Sequence, residues 1–170
     1  MTTDSLKKDV PEVTVKLADY LDSADAKDLI TVLDNYASSI MGGASPLAPR
    51  VKENLCGELA RLPHAFSLLL HVDDQIAGIA NCFEGFSTFA CRKLTNIHDI
   101  AILPQFRGMQ LSQRLLAAIE SEARSRGCVK LTLEVLEGNQ VARNAYAKFG
   151  FAAYELDDTT GAALFLQKYL

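Results

Sequence analysis

Between Leu94 and Leu136 the chain reads as strand, turn, helix and strand: "LTNIHDIAIL", "PQFRGMQ", "LSQRLLAAIESEARSRG" and, after Cys128, "VKLTLEVL". No other stretch restricts the fold as much. The first segment carries apolar residues on both faces, as a strand covered on two sides does. The helix sets Leu111, Leu115, Ile119 and Ala123 on one stripe, and Gly127 ends it. A crossover of this kind makes its two strands parallel and adjacent.

The flanking sequence adds antiparallel pieces. "VTVKLAD", from Val13, alternates as a strand does. Asp22 and Ser23 cap a helix predicted to about Met41, with Leu29, Val32, Leu33 and Tyr36 inward. "MGGASPLAP" breaks it, and a second helix from about Arg50 to Leu62 turns Val51, Leu55 and Leu59 inward. "AFSLLLHV" and "QIAGIANCF", joined by Asp73 and Asp74, read as a hairpin. "EGFSTFACRK" has no clear assignment. A last helix from about Asn139 to Phe149 places Val141, Ala142, Ala145, Tyr146 and Phe149 on its inner stripe, and two strands flank "DDTTG". The expected class is α/β, with a mixed, centrally parallel sheet and helices on both faces. Residues 1–12 read as a flexible tail and 13–170 as one domain.

Composition narrows the function. The 170 residues are 49% hydrophobic and 22% charged, enough apolar material for one sizeable core. A net charge of -4 argues against a nucleic-acid partner. No apolar run approaches the roughly 20 residues of a membrane span, and the opening "MTTDSLKKDV" lacks a signal-peptide core, so the expected compartment is the cytoplasm. Cys56, Cys82, Cys91 and Cys128 show neither disulfide nor metal spacing; free thiols and no metal are expected.

The turn inside the crossover carries the functional signal. It holds Gln105, Arg107, Gln110 and Ser112 but no acidic residue. A helix N-terminus behind a glycine turn offers unpaired N–H groups and a partial positive charge, which suits a phosphate. Many such turns bind nothing, and neither the G-x-x-x-x-G-K-[ST] nor the G-x-G-x-x-G pattern is present.

"PQFRGMQLSQRLL" resembles the acetyl-CoA pyrophosphate loop of the GCN5-related N-acetyltransferase (GNAT) superfamily, [QR]-x-x-G-x-[GA]. Gln105 and Gly108 match it, and Gln110 stands where that family usually has Gly or Ala. "NQVARNAYAKFGF" resembles the family's second signature through Asn139, Ala142, Tyr146, Gly150 and Phe151. Gln is a good helix former, so a helical backbone at position 110 tolerates it.

The resemblance implies a GNAT-like fold and an enzyme that moves the acetyl group of acetyl-CoA to a primary amine of a small molecule or peptide. Ile100, Ala101 and Ile102 would meet pantetheine through their backbone. The amides of Arg107, Gly108, Met109, Gln110, Leu111 and Ser112 would cradle the pyrophosphate, with Asn139 and Tyr146 also at the cofactor. Backbone N–H groups near Ile102 would stabilise the oxyanion. Tyr146 would protonate the departing sulfur; the bland alternative is a core tyrosine. Asn139 also suits a helix cap.

Several residues stand open as the base. Histidine titrates near neutrality, and strict alternation puts His98 on the face of Asn96, Ile100 and Ile102, with Asp99 opposite. Glu84 beside Gly85 and Phe86 is a second candidate. Glu134 in "LEV" resembles a base position of the ribosomal-protein N-terminal acetyltransferases, and a water chain is a fourth route. Phe83, Phe86 and Phe89 either wall an acceptor pocket or sit in the core. A non-catalytic acyl-CoA-binding sensor or interaction module is the alternative function, and a monomer or homodimer suits either.

Overall fold

The computed structural model describes residues 10–154 and 163–170. Its strands are β1 (Val13–Leu17), β2 (Ala65–Val72), β3 (Gln75–Ser87), β4 (Arg92–Ile102) and β5 (Leu131–Leu133). Its helices are α1 (Ser23–Ala37), α2 (Pro49–Leu59), α3 (Leu111–Ser125) and α4 (Gln140–Phe149). The five strands form one sheet in chain order.

Three of the four pairings are antiparallel, and only β4–β5 is parallel. The parallel pair therefore lies at one edge of the described sheet, which corrects the expectation of a parallel centre. Consecutive strands linked by tight turns must run antiparallel, and a helical crossover is what lets two neighbours run the same way. Here tight turns join β2 to β3 and β3 to β4, and the crossover comes last; β1 reaches β2 through α1 and α2 and still pairs antiparallel.

Helices cover both faces. On one, Leu29, Val32 and Leu33 of α1 and Cys56 and Leu59 of α2 meet Leu69, Ile79 and Leu103. On the other, Leu111, Leu115, Leu116 and Ile119 of α3 meet Leu68, Leu70, Ala80, Cys82 and Ile97. Each of these α3 side chains is at most 2% exposed, and such burial contributes roughly 1.5–3 kcal/mol apiece. Asp22 caps α1, accepting from the N–H groups of Ala24 and Asp25. Val141, expected inward on α4, is exposed.

Several boundaries move. α1 and α2 stop at Ala37 and Leu59, short of Met41 and Leu62. The unassigned "EGFSTFACRK" prolongs the β3–β4 hairpin, with Cys91 at φ 51° in its turn. Glu12 is bonded in both directions to Asp73, so ordered chain begins before the boundary drawn at residue 13. "DDTTG" lies outside the described residues. Neither 151–154 nor 163–170 is in a strand, and Leu164, Phe165, Leu166 and Tyr169 are exposed.

Candidate active site

Two irregularities in β4 create the site. The β3–β4 register slips between Asn81 and Cys82: Asn81 opposes Asp99 but Cys82 opposes Ile97. His98 is the extra residue of a β-bulge, which bends the strand and breaks the alternation of side chains. Ile97 packs on the α3 face, His98 and Asp99 both open toward α1 and α2, and Ile100 returns to the α3 face. This corrects the sequence reading, in which His98 shared a face with Ile100 and Ile102 and Asp99 pointed away.

The second irregularity is on the other edge. β4 pairs with β5 only from Thr95–Leu131 to Ile97–Leu133. From His98 to Ile102 the edge of β4 away from β3 has no strand partner among the described residues. Ile100, Ala101 and Ile102 thus border a gap where the two parallel strands part. β5 ends early for the same reason, and the eight-residue strand expected there is a three-residue one.

β4 leads through a one-turn 3-10 segment, Pro104–Phe106, into the turn before α3. Among the described residues, the main-chain N–H groups of Gly108, Met109, Gln110, Leu111 and Ser112 have no hydrogen-bond partner. No acidic residue stands in the first turn of α3, and no side chain caps it. Gly108 has φ +84°, with open space where a Cβ would project. Gly108, Met109, Gln110, Gln113 and Arg114 line a hollow of about 380 Å³. The Arg107 side chain turns back, donating from Nε to the carbonyl of Ile102 at 3.3 Å.

Gln110 departs from the sequence reading. It is not helical but precedes α3 at φ 57° and ψ 23°, a left-handed conformation costing a non-glycine residue about 1–2 kcal/mol. Its Oε1 accepts a hydrogen bond from Lys148 of α4 at 3.4 Å.

Tyr146 stands on α4, half-buried, with its ring edge-on to Phe151 at 5.9 Å. Its hydroxyl makes no hydrogen bond among the described residues. Burial, and secondarily the nearby Tyr36, push its pKa up to about 12, so the phenol keeps its proton at neutral pH. Asn139 caps α4, its Oδ1 accepting from the N–H of Ala142 at 3.2 Å.

On the α1/α2 side a cavity of about 380 Å³ is lined by Leu33, Tyr36, Ala37, Gly42, Leu47, Val51, Leu55, Leu59, Asn81, Phe83, His98 and Asp99. The His98 ring meets Phe83 edge-on at 5.5 Å and makes no hydrogen bond among the described residues. Asn81, 4% exposed, donates from Nδ2 to Asp99 Oδ2 at 3.0 Å and accepts from Ser67 Oγ at 2.6 Å. Ser67 in turn bonds the Tyr20 hydroxyl at 2.9 Å. Burial, then the charge of Asp99, raises the Tyr36 pKa. Tyr36 therefore stands within electrostatic reach of both the cavity floor and Tyr146.

The structure does not bring Glu84 to this site. Its carboxylate accepts from Lys93 at 2.7 Å and Arg126 at 3.0 Å. Arg126 also lies over the Phe66 ring, in the α3-side core. The Lys93 hydrogen bond holds Glu84 below the usual carboxylate range, with Arg126 adding to it against the cost of burial. As a base, Glu84 is on the wrong face and already ion-paired. Glu134 is exposed and meets Asn96 Nδ2 at 3.3–3.4 Å. Of the three phenylalanines only Phe83 lines the cavity; Phe86 and Phe89 are exposed.

Sequence reasoning missed Asn81 and Ser67 and set Asp99 on the wrong face. Alternation carried no sign of the bulge. Among the described residues no cluster of His, Cys, Asp and Glu could hold a metal ion, and no helix is long and apolar enough to cross a membrane.

A mixed sheet whose last two described strands part beside a turn of unpartnered main-chain N–H groups matches the framework of the acyltransferases. Residues 32–151 match the model of the Acetyltransferase (GNAT) family, and the chain belongs to that family. It is 28% identical over 103 residues to a Bacillus subtilis protein described as a putative [ribosomal protein bS18]-alanine N-acetyltransferase, spanning 61% of this chain and 64% of that one. The match thus covers under two thirds of that relative. The fold is similar to the ribosomal-protein-alanine N-acetyltransferase of Brucella melitensis biovar Abortus 2308, with TM-score 0.74, 17% identity and coverage of 93% of this chain and 100% of that one. It is also similar to the aminoglycoside N-acetyltransferase AAC(6')-Iy in complex with CoA, with TM-score 0.72, 14% identity and coverage of 97% and 100%.

Proposed function

We propose that the protein is an N-acetyltransferase that moves the acetyl group of acetyl-CoA to a primary amine by direct attack in a ternary complex. One observation carries this reading: a single strand borders a cavity on one face and has a free edge leading to unpartnered N–H groups. The bulge of β4 opens His98 and Asp99 into the cavity on the α1/α2 side. A few residues on, the strand's free edge leads to five unpartnered N–H groups that suit a pyrophosphate. An amine in the cavity and a thioester along β4 would meet where the strands part.

The proton bookkeeping follows. The acceptor arrives as an ammonium and gives one proton to His98, freeing its lone pair. Nitrogen bonds to the acetyl carbon while the carbonyl electrons move to oxygen, where main-chain N–H groups of β4 stabilise them. The C–S bond then breaks with its electron pair on sulfur, and Tyr146 delivers a proton there. The nitrogen's second proton restores the Tyr146 phenol through solvent. The products are an amide, CoA thiol and one proton on His98.

The test is release of CoA thiol from acetyl-CoA across a panel of amines, alongside melting temperature with and without CoA. Thermal stabilisation with thiol release supports the reading. Stabilisation with no amine turned over points instead to an acyl-CoA-binding sensor. No stabilisation at millimolar CoA removes the acyl-CoA site altogether.

A further inference from the structure

We infer that the cavity beneath α1 and α2 selects a small monoamine carried on an apolar body, with Asp99 as the residue that receives its ammonium; this rests on the transferase reading above. The walls supply the body's environment. Leu33, Ala37, Leu47, Val51, Leu55, Leu59 and Phe83 give an apolar enclosure, and about 380 Å³ is within the range of small-molecule sites. Charge is confined to one place. Among the described residues, Asp99 is the only carboxylate lining the cavity, and no Lys or Arg lines it.

Asp99 is held ready rather than neutralised. Its Oδ2 accepts from Asn81, which is fixed by Ser67 and, behind that, by Tyr20. Its Oδ1 has no hydrogen-bond partner among the described residues, and Asp99 makes no salt bridge among them. Asp99 is only partly buried, and no buried side-chain oxygen is left unpartnered among the described residues, so Oδ1 stands open for an entering cation or donor to complete it. An ammonium with three donors does so and leaves its nitrogen beside His98.

The same inventory argues against other amines. A polyamine would bring a second and third ammonium into a wall without a second carboxylate. A peptide N-terminus would bring amide groups that need partners. The remaining polar lining is largely taken: Asn81 is bonded on both sides, and the Tyr36 hydroxyl donates to the carbonyl of Met41 at 3.3 Å.

The experiment compares kcat/KM for 2-phenylethylamine and n-hexylamine with that for spermidine and an Ala-Tyr-Phe peptide, with CoA-induced stabilisation measured in parallel. The inference expects either monoamine to exceed both competitors by about tenfold or more. In Asp99→Asn, KM for the monoamines should rise about 10- to 100-fold, the scale of one charge-assisted hydrogen bond, with CoA stabilisation retained. Val51→Glu adds a carboxylate to a partly exposed wall position and should shift preference toward 1,6-diaminohexane over n-hexylamine. Preference for spermidine or the peptide, no turnover of either monoamine, or an unchanged KM in a folded Asp99→Asn would each overturn the inference. Those results overturn this inference alone where some amine is still acetylated, whereas failure of the transferase reading shows as acetylation of no amine at all, with or without CoA stabilisation. The wild-type ratios decide the matter if Asp99→Asn does not fold.

Discussion

The side chains of His98 and Asp99, consecutive in β4, open into the same cavity. The slip opposite Asn81–Cys82 makes this so, since a regular strand sends neighbouring residues to opposite faces. The pair combines a group able to take a proton with one able to hold a cation. His98→Gln should keep the fold and CoA-induced stabilisation while kcat falls about 10²-fold, the scale of one general base. Turnover within a factor of about two of wild type would transfer the role to a water chain.

Tyr146→Phe retains the ring that packs near Phe151 and removes only a hydroxyl without a protein partner. The melting temperature should stay close to wild type, because no hydrogen bond of the described chain is lost. Turnover should fall about 10²-fold. The loss should shrink with an acyl donor whose thiol is more acidic, since a less basic thiolate needs less help. Full activity would make Tyr146 a packing residue.

Gly108→Glu should abolish CoA-induced stabilisation. The substitution brings negative charge toward the unpartnered N–H groups and places a side chain where φ is +84°. Ligand stabilisation follows from binding to the folded state alone, so the readout is the change in melting temperature on adding CoA. A wild-type change would show that the turn is only structural.

Glu84→Gln should leave kcat nearly unchanged and lower stability by about 1–3 kcal/mol, because Lys93 and Arg126 lose their charged partner. The sign of the pH dependence follows from the lowered Glu84 pKa. The stabilisation is fully present above the unfolded glutamate pKa of about 4.3 and is lost as pH falls through the lower folded value. Denaturant melts of both proteins should therefore diverge at neutral pH and converge in acid. A loss of kcat at constant fold would return Glu84 to the mechanism.

All four cysteines are free, and they differ sharply in exposure. Burial lifts the Cys82 thiol to about 12 and raises Cys56, while Cys91 sits exposed in the β3–β4 turn. A thiol reagent at neutral pH should modify Cys91 first and leave Cys82 unmodified until the protein unfolds. Fast modification of Cys82 would contradict the packing of β3 against α3.

The crossover from Leu94 to Leu133, the stripe of α3, the cap at Asp22 and the hairpin at Asp73–Asp74 were all legible in the sequence. Each follows from side-chain periodicity or from local chemistry within a few residues. The glycine, the helix start and the missing acids of the turn before α3 were equally local features, and its unpartnered N–H groups follow from them. Only the tertiary structure decided that the parallel pair lies at an edge, that β4 and β5 part after Ile97 and Leu133, and that Glu84 is tied to Arg126. It also decided that Gln110 takes a left-handed backbone at the head of α3. The bulge at His98 is the sharpest case. A strand's alternation can be read from its own residues, but a register slip depends on how two strands fit each other, and so the face that Asp99 presents was fixed by β3.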